Sequence, residues 1–128
     1  MTVLIVYGDK RGAARAPAVR LARALRALGV DAVLRPAGRV ARLGRPNALV
    51  LAVDRTGRHE LEELIESFGL TGSPLPLFGF RADEAALPPG VRPLGGTRPG
   101  GATPHDLGAP LRLASALTAG LRQRSAQA

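Results

Sequence analysis

The stretch that decides the fold is Val3–Tyr7 (VLIVY), which leads directly into Gly8–Arg15 (GDKRGAAR). A continuous run of apolar, mostly β-branched residues is typical of a strand covered on both faces, as in a parallel sheet. Parallel strands need a crossover connection, which is usually helical. The start of the chain therefore predicts a strand, a glycine-containing loop and a helix.

Four further segments have the apolar character of strands. Asn47–Val53 (NALVLAV) is as continuous as the first run. Val91–Leu94 contains Pro93, which favours a short strand at the edge of a sheet. The five predicted strands are Val3–Tyr7, Asp31–Leu34, Ala48–Val53, Leu77–Phe80 and Val91–Leu94.

Amphipathic patterns alternate with these strands. In Pro17–Leu28, leucines recur on one helical face and arginines on the other. The predicted helices are Pro17–Leu28, His59–Phe68 and Pro110–Leu121, with shorter ones at Arg39–Leu43 and Ala82–Leu87. The side chains predicted to be buried are Ile5, Leu21, Leu25, Leu49, Leu51, Leu64 and Phe68.

Alternating strands and helices predict an α/β fold with a parallel sheet and helices on both of its faces. Five strands in so short a chain favour the order 2-1-3-4-5, in which a ligand binds where β1 and β3 diverge. Chemistry is then expected on Gly8–Arg15, Asp54–Arg58, Arg81–Asp83 and Gly95–His105. We expect one domain over residues 1–122 and a frayed tail over 123–128.

Composition excludes several classes of function. The 128 residues carry a net charge of +8 and no cysteine, which excludes disulfides and thiolate chemistry. All but one of the 18 basic residues are arginine and only 3% of residues are aromatic, so an arginine-rich solvated surface is favoured over a nucleic-acid face. No apolar run is long enough to span a membrane and no signal peptide is evident, which predicts a cytoplasmic protein.

The segment Tyr7-Gly8-Asp9-Lys10-Arg11-Gly12-Ala13-Ala14-Arg15 resembles the phosphate loop of flavodoxin-like domains. That loop runs roughly Tyr-Gly-Ser-x-x-Gly-x-Thr-Arg, and Gly8, Gly12 and Arg15 match it. The resemblance extends to short flavodoxin-domain proteins that include the menaquinone-dependent protoporphyrinogen oxidases. Asp9 and Ala14 depart from it, since they stand where the family has hydroxyl side chains.

Physical chemistry supports an anion site in this loop independently. Glycines allow backbone N–H groups to approach a ligand, and the N-terminus of the following helix favours negative charge. Lys10, Arg11 and Arg15 add cations, whereas Asp9 opposes a phosphate unless it points away. A tight turn between strand and helix that binds nothing is the alternative.

The resemblance implies a flavodoxin-like redox protein that binds flavin mononucleotide (FMN) and carries electrons. If it is an enzyme, it is a flavin-dependent oxidoreductase whose redox partner, a protein or a small-molecule acceptor, is unknown. The implied cofactor-binding residues are Gly8, Asp9, Lys10, Arg11, Gly12, Ala13, Ala14, Arg15, Asp54, Arg55, Thr56 and Gly57.

Two other functions stay open. A domain that has lost flavin and serves as an interaction or regulatory module would explain the missing hydroxyls and the lack of an aromatic residue in the Asp54–His59 loop. A receiver module would use acidic residues such as Asp9 and Asp54, but the chain has no lysine after the fifth strand and no Ser/Thr after the fourth. No catalytic side chains are predicted. The two histidines, His59 and His105, have no metal-ligand spacing.

Overall fold

The computed structural model describes residues 1–8, 12–94 and 110–127. An α-helix follows the first, third and fifth strands along the chain. The strands are Thr2–Tyr7 (β1), Asp31–Pro36 (β2), Ala48–Val53 (β3), Leu77–Arg81 (β4) and Arg92–Pro93 (β5). The α-helices are Arg15–Ala27 (α1), Arg58–Ser67 (α2) and Pro110–Gln127 (α3).

The five strands form one parallel sheet in the order β2-β1-β3-β4-β5. Val3 lies opposite Ala48 in the β1–β3 pair, and Val53 lies opposite Arg81 in the β3–β4 pair. The predicted fold class and strand order are therefore confirmed. The order reverses between β1 and β3, so the loops that follow these two strands meet at one edge.

Strand β3 is the centre of the sheet, and all six of its residues are buried. Successive side chains of a strand point to opposite faces. Val50 accordingly belongs to the core under α1 and α3, whereas Leu49 and Leu51 belong to the core under α2. The continuous apolar run in the sequence thus reflects a strand covered by helices on both sides.

Helix α1 has the two faces that its sequence predicts. Leu21 and Leu25 are fully buried, while Arg20 and Arg23 are exposed. The helix ends before Gly29, whose φ of +82° is a conformation that a side chain would strain. Burial is confirmed for six of the seven side chains predicted to be buried, namely Ile5, Leu21, Leu25, Leu49, Leu51 and Leu64.

The two predicted short helices are wrong. In place of Arg39–Leu43 the chain makes one 3₁₀ turn at Ala37–Arg39, and Gly44, at a φ of +70°, follows it soon after. Ala82–Leu87 is irregular because the Asp83 side chain accepts the Ala85 N–H at 2.8 Å, a local bond that competes with helix formation.

Two element boundaries and the burial of one side chain also differ from the predictions. The fifth strand is only Arg92–Pro93, although the following Leu94 N–H still donates to the Gly79 carbonyl oxygen of β4 at 2.8 Å. Helix α3 runs to Gln127 through residues predicted as a frayed tail, a stretch without glycine or proline to stop it. Phe68 is half-buried, because it follows the last turn of α2 and only borders the second core.

Among the residues that the structure describes, no helix is long and apolar enough to cross a membrane.

We predict that Leu25→Ala lowers the free energy of unfolding by about 2–5 kcal/mol, because it leaves a cavity in the core under α1. Urea denaturation measures this loss. Leu28→Ala is the matched control, because Leu28 is only half-buried and the same truncation should cost clearly less. Equal losses for the two variants would contradict the assignment of the helix faces.

Candidate functional site

Three loops meet at the carboxyl edge of the sheet, where a ligand is expected. The first loop, residues 8–14, follows β1. The second loop, residues 54–57, follows β3, and the third loop, residues 82–91, follows β4. Residues 9–11 of the first loop lie outside the described residues, so Asp9, Lys10 and Arg11 stay predictions.

Asp54 is the side chain that joins the first two loops. Its carboxylate is 3% exposed, and Oδ2 accepts the Ala14 N–H at 3.0 Å. Oδ1 accepts the Gly57 N–H at 2.5 Å. Buried hydrogen bonds to a charged group are stronger than neutral ones, so this carboxylate holds the two loops in a fixed relation.

The Ala14 and Gly57 N–H groups that Asp54 accepts each belong to the residue that directly precedes a helix. Ala14 is the N-cap residue of α1 and Gly57 is the N-cap residue of α2. Neither residue has a side chain that could cap its own helix. Asp54 supplies an acceptor to both helix N-termini at once, and its negative charge lies where both helix dipoles favour an anion.

Glycines are needed where the two loops touch. A Cβ atom on Gly8 would lie 2.6 Å from the Gly57 Cα, which is a clash with backbone. A Cβ atom on Gly12 would overlap the Asp54 carboxylate. Both glycines of the sequence motif are therefore explained by packing between loops. They do not by themselves require a ligand.

A second aspartate joins the second loop to the third. Asp83 Oδ2 accepts the Arg55 N–H at 2.8 Å, and Oδ1 accepts the Ala85 N–H at the same distance. Arg58, at the start of α2, donates its Nε–H to the Ala86 carbonyl oxygen at 2.9 Å. The three loops are thus joined one to the next by backbone N–H groups and side-chain acceptors or donors.

Positive charge surrounds this edge. Arg15 and Arg55 are exposed, and within the described residues neither guanidinium has a hydrogen bond or an ion pair. Arg81 ends β4, and its buried Nε lacks a hydrogen-bond partner there as well. An open groove of about 450 Å³ begins at Gly12 and runs along α1 past Arg15, Arg20 and Arg23.

The structure divides the predicted site residues into two groups. One group is buried and forms the contact between the loops: Gly8, Ala14, Asp54 and Gly57. The other group is exposed and lies around that contact: Gly12, Ala13, Arg15, Arg55 and Thr56. The exposed group can reach a ligand directly, whereas the buried group holds the loops in place.

The roles of Asp54 and Asp83 as loop connectors were not predicted from the sequence. One signal for Asp54 was present, because two helices begin after residues, Ala14 and Gly57, that cannot cap them. Asp83 gave no such signal, since its partner Arg55 is 28 positions away.

The remaining polar candidates do not join this site. His59 lies on α2, is 82% exposed in its side chain and pairs with Glu63 at 3.0 Å. His105 and the rest of Gly95–His105 lie outside the described residues. In the part of the chain that the structure describes, no group of three or more His, Asp or Glu side chains could hold a metal ion.

We predict that Gly8→Ala lowers the free energy of unfolding by about 1–3 kcal/mol, because the new methyl group forces the first and second loops apart. Urea denaturation tests this. Gly120→Ala is the control, since a Cβ atom there meets nothing within 4 Å and alanine favours the helix by up to about 1 kcal/mol. A neutral Gly8→Ala variant would mean that the loops are not in contact.

Comparison with known proteins gives agreement in structure alone. No family model and no curated protein sequence matches the chain. A flavodoxin of Streptococcus pneumonia TIGR4 superposes with a TM-score of 0.62 at 16% sequence identity, over 94% of this chain and 99% of that one. A flavodoxin from the domain Archaea superposes with a TM-score of 0.59 at 17% identity, over 95% of this chain and 99% of that one.

At 16–17% sequence identity, structural similarity of this kind establishes the fold. The order of strands, the helices on both faces and the near-complete coverage agree with each other. The chain therefore has the flavodoxin fold.

Proposed function

We propose that the chain binds FMN at the edge formed by its first and second loops and carries electrons on the bound flavin. The observation that carries this proposal is the contact of Gly8 with Gly57, which brings the loops after β1 and β3 together where the strand order reverses. Ligands of open α/β sheets bind at this point. The flavodoxins that superpose on the chain add support.

The exposed residues of the two loops suit the phosphate end of such a ligand. Gly12 and Ala13 are exposed just before α1, and backbone N–H groups at the start of a helix can hold a phosphate. Arg15 and Arg55 supply cations beside them that have no ion pair among the described residues. Lys10 and Arg11, on the part of the first loop outside the described residues, belong to the same proposal.

A bound flavin would supply the redox chemistry itself, and the protein would hold it and tune its potential. Catalytic side chains are then unnecessary. Thr56, which is exposed between the bonded residues Arg55 and Gly57, would contact the edge of the flavin ring. The electron acceptor would be a redox protein or a small molecule. The proposal also includes oxidoreductase activity and a cytoplasmic location.

A domain without flavin that serves as an interaction module is the second candidate. Two observations favour it. Asp54 already accepts the Ala14 N–H at the start of α1, and all four aromatic residues, Tyr7, Phe68, Phe78 and Phe80, lie outside the first and second loops. The first and second loops thus contribute fewer free donors and none of the aromatic side chains that could stack on a flavin, which predicts weak binding.

The geometry disfavours a receiver module. A phosphoacceptor carboxylate has to meet its phosphate donor, whereas Asp54 is 3% exposed and both of its oxygens accept backbone hydrogen bonds.

We predict that FMN binds more tightly than riboflavin, because only FMN carries the phosphate. Arg15→Ala should lower the affinity for FMN by about tenfold, the value of one hydrogen bond to a charged group, and leave riboflavin binding unchanged. Isothermal titration calorimetry with both flavins measures these affinities.

Arg122→Ala is the matched control, because it removes the same charge from an exposed position near the end of α3 and should leave FMN binding unchanged. Equal affinities for the two flavins would overturn the phosphate site. If neither flavin binds at millimolar concentration, the interaction module becomes the leading function.

A further inference from the structure

We propose that Asp54 acts as the chain's own anion at the ligand edge. It occupies backbone donors at the N-termini of α1 and α2 and thereby lowers the affinity of this edge for a ligand phosphate. The hydrogen bonds from Ala14 and Gly57 carry this inference. The part of this inference that concerns flavins rests on the proposed function. The part that concerns inorganic phosphate is independent of it.

The position of the carboxylate is the one that an external anion would take. A helix N-terminus offers unpaired N–H groups and a partial positive charge, and it attracts phosphates and carboxylates alike. Two such N-termini converge on Asp54, and neither has a capping side chain at its own N-cap residue, Ala14 or Gly57. The chain has thus placed a carboxylate where the field of both helices is most favourable.

The fit around this carboxylate is tight. Gly12 packs so closely against Oδ2 that even a methyl group would overlap it. A Cβ atom on Gly57 would lie 3.0 Å from Oδ1. An incoming phosphate therefore cannot share these donors with Asp54. It has to displace the carboxylate or bind farther out, at the exposed residues Gly12 and Ala13.

A phosphate bound farther out would also meet a negative charge behind the loop. Like charges a few ångströms apart repel strongly where water is partly excluded. Asp54 thus acts on specificity in two ways, by occupying the Ala14 N–H and by its charge. It is a positioning residue that determines specificity through the loop backbone.

The test uses Asp54→Asn, which keeps the size of the side chain and removes its charge. Inorganic phosphate is the first probe, followed through the amide signals of Ala14 and Gly57 in a ¹⁵N-labelled sample. We expect phosphate to shift both signals saturably in the variant, at a concentration at least about tenfold lower than any it needs in the native chain. With flavins as the second probe, the preference for FMN over riboflavin should rise by about tenfold or more.

Asp83→Asn is the matched control. Asp83 also accepts two backbone N–H groups, those of Arg55 and Ala85, and its substitution removes the same charge from a neighbouring loop. Both variants should lower the midpoint of urea unfolding, but only Asp54→Asn should gain phosphate binding. An equal gain in both variants would reduce the effect to net charge and overturn the proposal.

Two further outcomes separate this inference from the proposed function. If Asp54→Asn gains phosphate binding and neither flavin binds, the inference stands and the FMN proposal fails. If Asp54→Asn gains no phosphate binding, the inference fails whatever the flavins do.

A measurement on the native chain covers the case in which Asp54→Asn does not fold. Because the carboxylate already holds both donors, phosphate titrated into the native protein should leave the Gly57 amide signal unchanged, together with the hydrogen-exchange protection of Ala14 and Gly57. Saturable shifts of both signals in the native chain would overturn the proposal.

Discussion

One buried carboxylate fixes the geometry of the ligand edge. Asp54 follows the central strand β3 directly, so the sheet determines where its side chain lies. From there it accepts the N–H groups that precede α1 and α2. Each helix packs on a different face of the sheet, and the same carboxylate thus links the two layers at one edge. A buried charge is tolerated only with such partners.

A second aspartate, Asp83, connects the second loop to the third in the same way as Asp54 connects the first to the second. Asp83 accepts backbone N–H groups on both sides, one from the second loop and one from its own loop. The Ala82 N–H also donates to the Val53 carbonyl oxygen at 2.7 Å, which continues the β3–β4 ladder to the loops. These bonds hold the backbone from which the exposed Arg15 and Arg55 side chains extend.

Those parts of the fold that depend on apolar burial could be predicted from the sequence. VLIVY and NALVLAV locate β1 and β3 because strands covered on both faces need apolar residues at every position. Helices were predicted wrongly at Arg39–Leu43 and Ala82–Leu87, because turns replace them there and the Asp83 side chain binds a nearby backbone N–H. Helix α3 was predicted to end at Leu121 but continues to Gln127, and no glycine or proline in that stretch marks a helix stop.

In the candidate site, the glycine pattern predicted the location of the contact between loops but not the groups that make it. Gly8 and Gly12 match a phosphate-loop pattern, and their spacing located the edge where the loops meet. The contact that requires glycine is nevertheless with Gly57 and with the Asp54 carboxylate, partners more than 40 positions away in the sequence. A glycine pattern records that something comes close to the backbone. It does not record whether that neighbour is a ligand or another part of the chain.

The two interpretations of the first loop, as a tight turn and as an anion site, are therefore compatible. The N-terminus of α1 is an anion site by its physics, and in this chain Asp54 supplies the anion. Ala14 is 1% exposed and its N–H is bonded to the Asp54 carboxylate, so this residue already belongs to the contact between the loops. The absence of hydroxyl side chains and the presence of a buried carboxylate thus describe one arrangement, in which the fold neutralises the start of α1 from within.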